Sequence, residues 1–257
     1  RMKVLIVLPK LSAGGTERAA AELANYMVKN GVEVSILLMF KQPVFFQLDP
    51  RINLIEPNHI RELVGRFLYV PFLINYLNKK IKLERPDTVF LMGYILFGLI
   101  ATVGLKYKVV VSWRSSPKRV RFPNKLLANK LYAATYSILS RRINGIIAQT
   151  QEAKEVFSKK YNCPIEVIPN YLRSINEYPN NLKEKTIISM GRCVYEKGHH
   201  YLLEAFSKLE NNEWKLIILG DGPLRGKLED HANSLKSYER TGGVGVGVVG
   251  VGCFSLS

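Results

Sequence analysis

Cysteine is scarce in this 257-residue chain, and the three present, Cys163, Cys193 and Cys253, stand far apart. No two of them make a C-x-x-C pair, and three thiols build no disulfide framework. A reduced, cytosolic setting is the expectation. Histidine is equally thin, with four residues. Adjacent His199 and His200 project in different directions on a helix, which favours surface or packing roles over metal ligation. His59 in a loop and His231 on a polar helix have no evident partner. The chain contains no H-E-x-x-H or G-x-S-x-G, and the glycine pair Gly14–Gly15 lacks the full G-x-G-x-x-G, so neither a zinc protease, a serine hydrolase nor a dinucleotide fingerprint is indicated. No metal is assigned. Long apolar runs are missing too. The longest, Phe90 to Leu105, is shorter than the roughly 18 residues a span requires and carries three glycines, so it reads as a strand followed by a buried helix. The first run, Val4 to Leu8, is too short for the apolar region of a signal peptide. A soluble or peripheral protein is expected.

Acidic side chains are the other shortage: 21 Asp and Glu face 37 Lys and Arg, a net charge of +16. Between Ile60 and Arg142 sixteen basic residues meet three acidic ones (Glu62, Glu84, Asp87). Such a field attracts nucleic acid, an acidic membrane surface or phosphorylated substrates. Zinc spacing, a basic heptad and an aromatic-interleaved stacking platform are all lacking, so nucleic acid is not an expected partner. The cations gather on two expected helices, Arg61–Leu83 and Pro123–Arg142, and on the intervening stretch from Arg114 to Arg121. An amphipathic basic helix can rest on an anionic bilayer. The expected division is core packing for leucine and isoleucine, and contact with membrane or acceptor phosphate for the basic rim.

What the chain does have is alternation. Apolar strands are expected at Lys3–Leu8, Glu33–Phe40, Thr88–Met92, Lys108–Trp113, Gly145–Ala148 and Ile165–Ile168. Helices are expected at Thr16–Asn30, Tyr94–Leu105 and Gln151–Tyr161 as well as the two basic ones, and Gly31 is placed to cap the first. Strands apolar almost throughout, separated by helices, indicate a parallel sheet covered on both faces. The fold class is α/β, doubly wound. A polar stretch with Pro169 and Pro179 reads as a linker, after which the alternation restarts: strand Thr186–Met190, helix Gly198–Leu209, strand Lys215–Leu219, helix Leu224–Leu235. The expected organisation is an acceptor-side Rossmann-like domain over 1–170, a linker over 171–184, a partial second unit over 185–236, and an aberrant tail over 237–257. From Thr241 the tail reads TGGVGVGVVGVGCFSLS, and glycine this dense opposes a stable strand. Two strands cannot bury a core alone, so a truncated or frame-shifted C-terminus is expected.

Two loops invite anions. A glycine turn leading from a strand into a helix presents backbone N–H groups and the positive end of the helix dipole. In SMGRCVYEKGHHYLLEAF the turn adds Arg192 and Lys197, an Arg that can grip a phosphate bidentately and a Lys acting as a point charge. Gly198 lets the backbone come close. The spacing fits a pyrophosphate site, and it also fits a solvated loop with two surface cations. Gly14 and Gly15 open the first helix in the same way. GDGP at Gly220–Pro223 reads first as a tight turn with proline at a helix start. Cys193 beside Arg192 invites a lowered thiol pKa, although a small residue in a tight loop is the simpler account.

The strings SMGRCVYEKGHHYLLEAFSKL and WKLIILGDGP, with GGTERAAAELA near the start and VIPN before the linker, resemble glycosyltransferase family 4 over roughly residues 2 to 235. The resemblance implies a GT-B-like fold of two Rossmann-like units, the second incomplete here. It implies a retaining enzyme, without a metal or other cofactor, that moves a sugar from a nucleotide diphosphate, a uridine-linked one, to a saccharide or polyprenyl-diphosphate-linked acceptor in capsule, exopolysaccharide or lipid-linked oligosaccharide assembly. Arg192, Lys197 and Gly198 would then hold the donor diphosphate, and Gly14 and Gly15 would line the cleft. Arg114, matching by place only, would contribute near the reacting sugar. The family's carboxylate pair, E-x7-E, which grips ribose and sugar from the second half of the C-terminal domain, has no counterpart there, because the glycine-valine tail occupies the place where that half should begin. A weak or inactive enzyme is therefore expected, peripheral on the inner face of the membrane. The alternatives are a non-catalytic acceptor- or membrane-binding fragment and a nucleotide-sugar epimerase of the same fold.

Overall fold

The computed structural model describes residues 1–58, 60–114, 126–170, 185–209, 214–238 and 245–249, without the side chains of 60–68, 128, 236–238 and 245–249. His59, the basic stretch after Arg114, the linker over 171–184 and Cys253 lie outside the described residues. Contacts divide the chain into Arg1–Arg173 and Ser174–Ser257.

In the first unit seven parallel strands form one sheet: β1 (Lys3–Leu8), β2 (Glu33–Leu38), β3 (Asn53–Ile55), β4 (Thr88–Met92), β5 (Lys108–Ser112), β6 (Gly145–Ala148) and β7 (Ile165–Val167). Their spatial order is β3-β2-β1-β4-β5-β6-β7. The chain steps outward from β1 in one direction and from β4 in the other. Right-handed crossovers therefore put helix α1 (Gly15–Lys29) on one face and α2 (Ile60–Glu84), α3 (Ile95–Ala101), α4 (Leu126–Ser140) and α5 (Gln151–Ser158) on the opposite one. Two apolar layers result. Ala20, Ala21, Ala24 and Val28 of α1 close on Val4, Ile6, Val34 and Ile36. Tyr69, Leu73, Leu77 and Ile81 of α2, spaced four apart, pack with Leu5, Val7 and Val89 on the second layer. The Tyr69 hydroxyl donates to the Met39 carbonyl at 2.9 Å, so its buried oxygen is satisfied.

The α/β class is as the alternation indicated. Strand β3 escaped notice because three residues give no readable period. The expected basic rim is only partly free. Arg142 spends its guanidinium on the carbonyls of Thr102 and Leu105, at 2.7 and 2.8 Å, where α3 ends. On α4 the expected core role of the aliphatic residues is wrong for four of them: Leu126, Leu127, Leu131 and Ile138 are all exposed.

The second unit holds β8 (Thr186–Met190), a 3₁₀ turn (Tyr195–Lys197), α6 (His199–Ser207), β9 (Lys215–Leu219), α7 (Arg225–Tyr238) and β10 (Gly245–Val249). All three strands are parallel, in the order β10-β9-β8. The strand β10 corrects the reading of the tail as strand-averse. Val246 pairs with Leu216 and Val248 with Ile218, because the ladder along the open side of β9 is made by backbone groups that glycine also supplies. Among the described residues the buried core consists of Cys193, Leu203, Phe206, Leu216, Ile218, Leu228 and Ala232. The other face of β8 leaves Ile188 61% and Met190 79% exposed. Apolar residues side by side on an exposed strand promote association. Threonine at both positions keeps strand propensity, and is expected to reduce dye binding and light scattering while changing stability by less than about 1 kcal/mol. Unchanged scattering would show that this face is not the adhesive one.

Candidate functional site

The carboxyl edges of both sheets gather the loops that the sequence singled out. In the second unit the turn after β8 is bound to the turn after β9. Gly191 N–H donates to the Leu219 carbonyl at 2.9 Å, Cys193 N–H to that of Asp221 at 2.9 Å, and Leu224 N–H to that of Cys193 at 3.0 Å. This approach is possible only because Gly220 and Gly222 lack side chains. A Cβ at Gly220 would stand 1.9 Å from the Gly191 carbonyl oxygen, and one at Gly222 would stand 2.7 Å from that of Cys193. The GDGP turn is thus structural, as its spacing indicated, and it fixes the loop that carries the cations.

On that loop Lys197 and Arg192 are both exposed. The Lys197 stem lies back over the end of β8, with Cδ and Cε 3.5 and 3.6 Å from where a Gly191 Cβ would be. Among the described residues neither cation forms an ion pair. Gly198 follows at φ +67 and caps α6. That left-handed conformation suits glycine, and it turns the chain so that the first N–H groups of α6 open the helix beside Lys197.

Behind the loop sits His199, almost wholly buried. Its Nε2 lies 3.2 Å from the Gly191 carbonyl and its Nδ1 lies 3.4 Å from the Ser189 hydroxyl. The tautomer protonated on Nε2 satisfies both, donating to the carbonyl and accepting from the hydroxyl. The packing role expected of this histidine is therefore specific: it ties α6 to the strand whose loop bears Arg192 and Lys197. His200 lies between the rings of Tyr195 and Tyr201, with centroids at 4.8 and 3.9 Å. The suggestion of a lowered Cys193 pKa is corrected. The side chain is fully buried in the core and burial pushes its thiol up.

In the first unit Gly14 and Gly15 follow β1, as expected, but Glu17 lies across them. A Cβ on Gly14 would fall 2.3 Å from a Glu17 carboxylate oxygen. A side-chain carboxylate therefore already sits against the positive end of α1, while Gly15 faces open space. Arg114 leaves the end of β5 and donates through Nη2 to the Asn170 amide oxygen, which also accepts from Gln149 Nε2 at 2.9 Å. Half-burial lowers the Arg114 pKa from its ordinary value; the group remains a cation at neutral pH. It lines a cavity of about 420 Å³ together with Met92, Ser112, Ile168, Pro169 and Asn170. Gly14, Gly15 and Arg114 thus lie on one sheet edge, with β4 between their strands, and Arg192, Lys197 and Gly198 lie on the other unit.

Sequence reasoning missed Gln149, Asn170 and Tyr94. The first two gain meaning only when β6 and β7 flank β5. Tyr94 follows β4, beside β1, where the strand order reverses and ligands of doubly wound sheets gather. Its φ of +42 is left-handed, and such strain clusters at functional positions. The adjacent Gly93 lies so close to the β1 loop that a Cβ would meet Pro9 at 3.1 Å. The pattern G-Y after an apolar strand was the available signal.

Comparisons with known proteins bear on the family and the fold. Residues 13–172 match the family model Glycosyltransferase Family 4, and residues 172–242 match Glycosyl transferases group 1. An uncharacterized glycosyltransferase of Haemophilus influenzae is 28% identical over 87% of this chain and 63% of its own length. The Campylobacter jejuni GalNAc-alpha-(1->4)-GalNAc-alpha-(1->3)-diNAcBac-PP-undecaprenol alpha-1,4-N-acetyl-D-galactosaminyltransferase is 25% identical over 91% of this chain and 66% of its own length. The chain thus spans a little under two thirds of these two relatives. Among solved structures, Anabaena Alr3699/HepE in complex with UDP-glucose superposes with a TM-score of 0.64 at 16% identity, over 98% of this chain and 70% of that one. That likeness shows the shared fold. The family model, which covers more than half of the residues, shows the lineage: this chain belongs to glycosyltransferase family 4.

Proposed function

We propose that the protein serves the transfer of a sugar from a nucleotide diphosphate sugar, with uridine as the nucleoside, to a saccharide or polyprenyl-diphosphate-linked acceptor in surface polysaccharide synthesis. The observation that carries this is Lys197 folded over Gly191 beside Arg192 and the opening of α6. Two exposed cations, in no ion pair among the described residues, stand on the loop that leads into a helix N-terminus, where a doubly charged leaving group would be stabilised. No metal is required in this reading, because Arg192 and Lys197 meet the diphosphate charge. The Anabaena structure contains UDP-glucose and the Campylobacter relative acts on an undecaprenol-linked glycan by name; both support the donor and acceptor classes. Arg114, held by Asn170 at the cavity mouth, would orient the acceptor or a sugar hydroxyl. The protein would work in the cytoplasm, against the inner face of the membrane.

Calorimetric titration with UDP, pyrophosphate and uridine tests this. UDP and pyrophosphate are expected to bind with similar affinity, and uridine not at all, because the cations and the helix N-terminus address the diphosphate alone. Failure of both phosphate ligands to bind would overturn the assignment of the loop.

A further inference from the structure

We infer that the outward face of α4 is a docking surface for an anionic lipid bilayer. The helix has two apolar sides. Tyr132, Tyr136 and Leu139 face the core, where Tyr136 stacks edge-on against Trp113 at 5.5 Å between centroids. Opposite them, at helical spacing, stand Leu127, Leu131, Ala134 and Ile138. Leu127 is 82% exposed, and Leu131 and Ile138 are each 68% exposed. A surface helix ordinarily turns polar residues outward, so an unpartnered row of this kind marks an interaction site.

Charge selects the occupant. Lys130 and Arg141 border the row on one side and both are exposed. From Thr88 to Gln151 the sequence contains ten Lys and Arg and neither Asp nor Glu. A second copy of this face would set cations against cations, and an ordinary protein partner would find no carboxylate to pair with its own basic groups. An anionic interface satisfies both features at once: leucine and isoleucine enter the acyl boundary while Lys130 and Arg141 remain among the headgroups. Among the described residues no helix is long and apolar enough to cross a membrane, so attachment through this face would be peripheral. The inference rests on the lipid-linked acceptor reading for its purpose. Its test is independent, because pyrophosphate binding by the second unit is a separate measurement.

The experiment is co-sedimentation of the full chain with extruded vesicles of phosphatidylcholine, alone or with about a third phosphatidylglycerol, at low and high salt. Wild type is expected to partition at least about tenfold more strongly onto the anionic vesicles at low salt, and to lose most of that preference at high salt, where the screening length is about 3 Å. The paired change Leu127→Gln and Leu131→Gln keeps helix propensity. It is expected to lower anionic-vesicle binding about tenfold, with thermal stability and pyrophosphate affinity unchanged. Equal binding to neutral and anionic vesicles, or equal binding by wild type and the variant, would overturn the assignment. So would a wild-type dimer in size-exclusion chromatography that the variant converts to monomer, since a second copy would then be the true occupant.

Discussion

Replacing Gly220 with alanine is expected to abolish the second unit's protection against hydrogen exchange and leave the first unit's unchanged. The added carbon would lie 1.9 Å from the Gly191 carbonyl oxygen and 2.9 Å from its carbonyl carbon. Both obstacles are backbone, so no side chain can rotate away and one loop must move. Movement breaks the bonds from Gly191 to Leu219 and from Cys193 to Asp221, each worth about 1 kcal/mol. Strain from overpacking adds about 1–3 kcal/mol. A total near 3–4 kcal/mol is large against a core with seven buried residues among those described, because small units bury too little surface to spare it. Gly226→Ala, in α7 with nothing within 4 Å of the new carbon, is the control and should be neutral or slightly stabilising. Exchange read on peptides from β8 and β9 against peptides from β1 decides it. Native protection throughout Gly220→Ala would mean that the two loops are not held together as described.

Much of this architecture was legible because parallel strands buried on both faces write themselves as unbroken apolar runs, as in Val4–Leu8 and Val89–Met92, and helices as runs between them. The cation pair and the glycines of the second unit were legible for a related reason: they occur within a few residues of one another, so local spacing carries the message. What could not be read arises from contacts between distant segments. Gly220 reads as a turn residue until the β8 loop is laid against it. Asn170 and Gln149 acquire Arg114 only through the β5–β6–β7 pairing. His199 looks like half of a histidine pair until burial separates it from His200. The outward apolar row of α4 was mistaken for core, since a sequence shows that a helix is apolar on two sides but not that one of them lacks a neighbour. Density of glycine misled in the opposite direction at β10, where backbone pairing to an open edge outweighed the entropic cost.

Removing the charges of Lys197 and Arg192 is expected to weaken pyrophosphate binding about hundredfold in the double variant, and about tenfold in either single one, without loss of fold. Lys197→Met is the informative choice. It keeps an unbranched apolar stem to lie across Gly191, where the lysine Cδ and Cε now sit, and deletes only the ammonium. Arg192→Gln retains a donor but loses the fork and the charge. Charge-assisted contacts to phosphate are about twice as strong as neutral ones, but both side chains are exposed, so solvent and salt screen them and the modest end of the range applies. A tenfold loss corresponds to about 1.4 kcal/mol, and two such losses add when the groups touch the ligand independently. Salt provides the second readout. Each cation contributes to the dependence of affinity on ionic strength, so the double variant should show a shallower slope as well as a weaker constant. His199→Gln separates position from charge: it disturbs the hold on the Gly191 carbonyl and Ser189 and leaves the cation count alone, so it should lower affinity while preserving the wild-type salt slope. Calorimetry with pyrophosphate at two salt concentrations measures all of these. If Lys197→Met and Arg192→Gln bind as wild type does, the loop after β8 is an ordinary solvated turn, and the leaving-group site must be sought elsewhere on the two sheet edges.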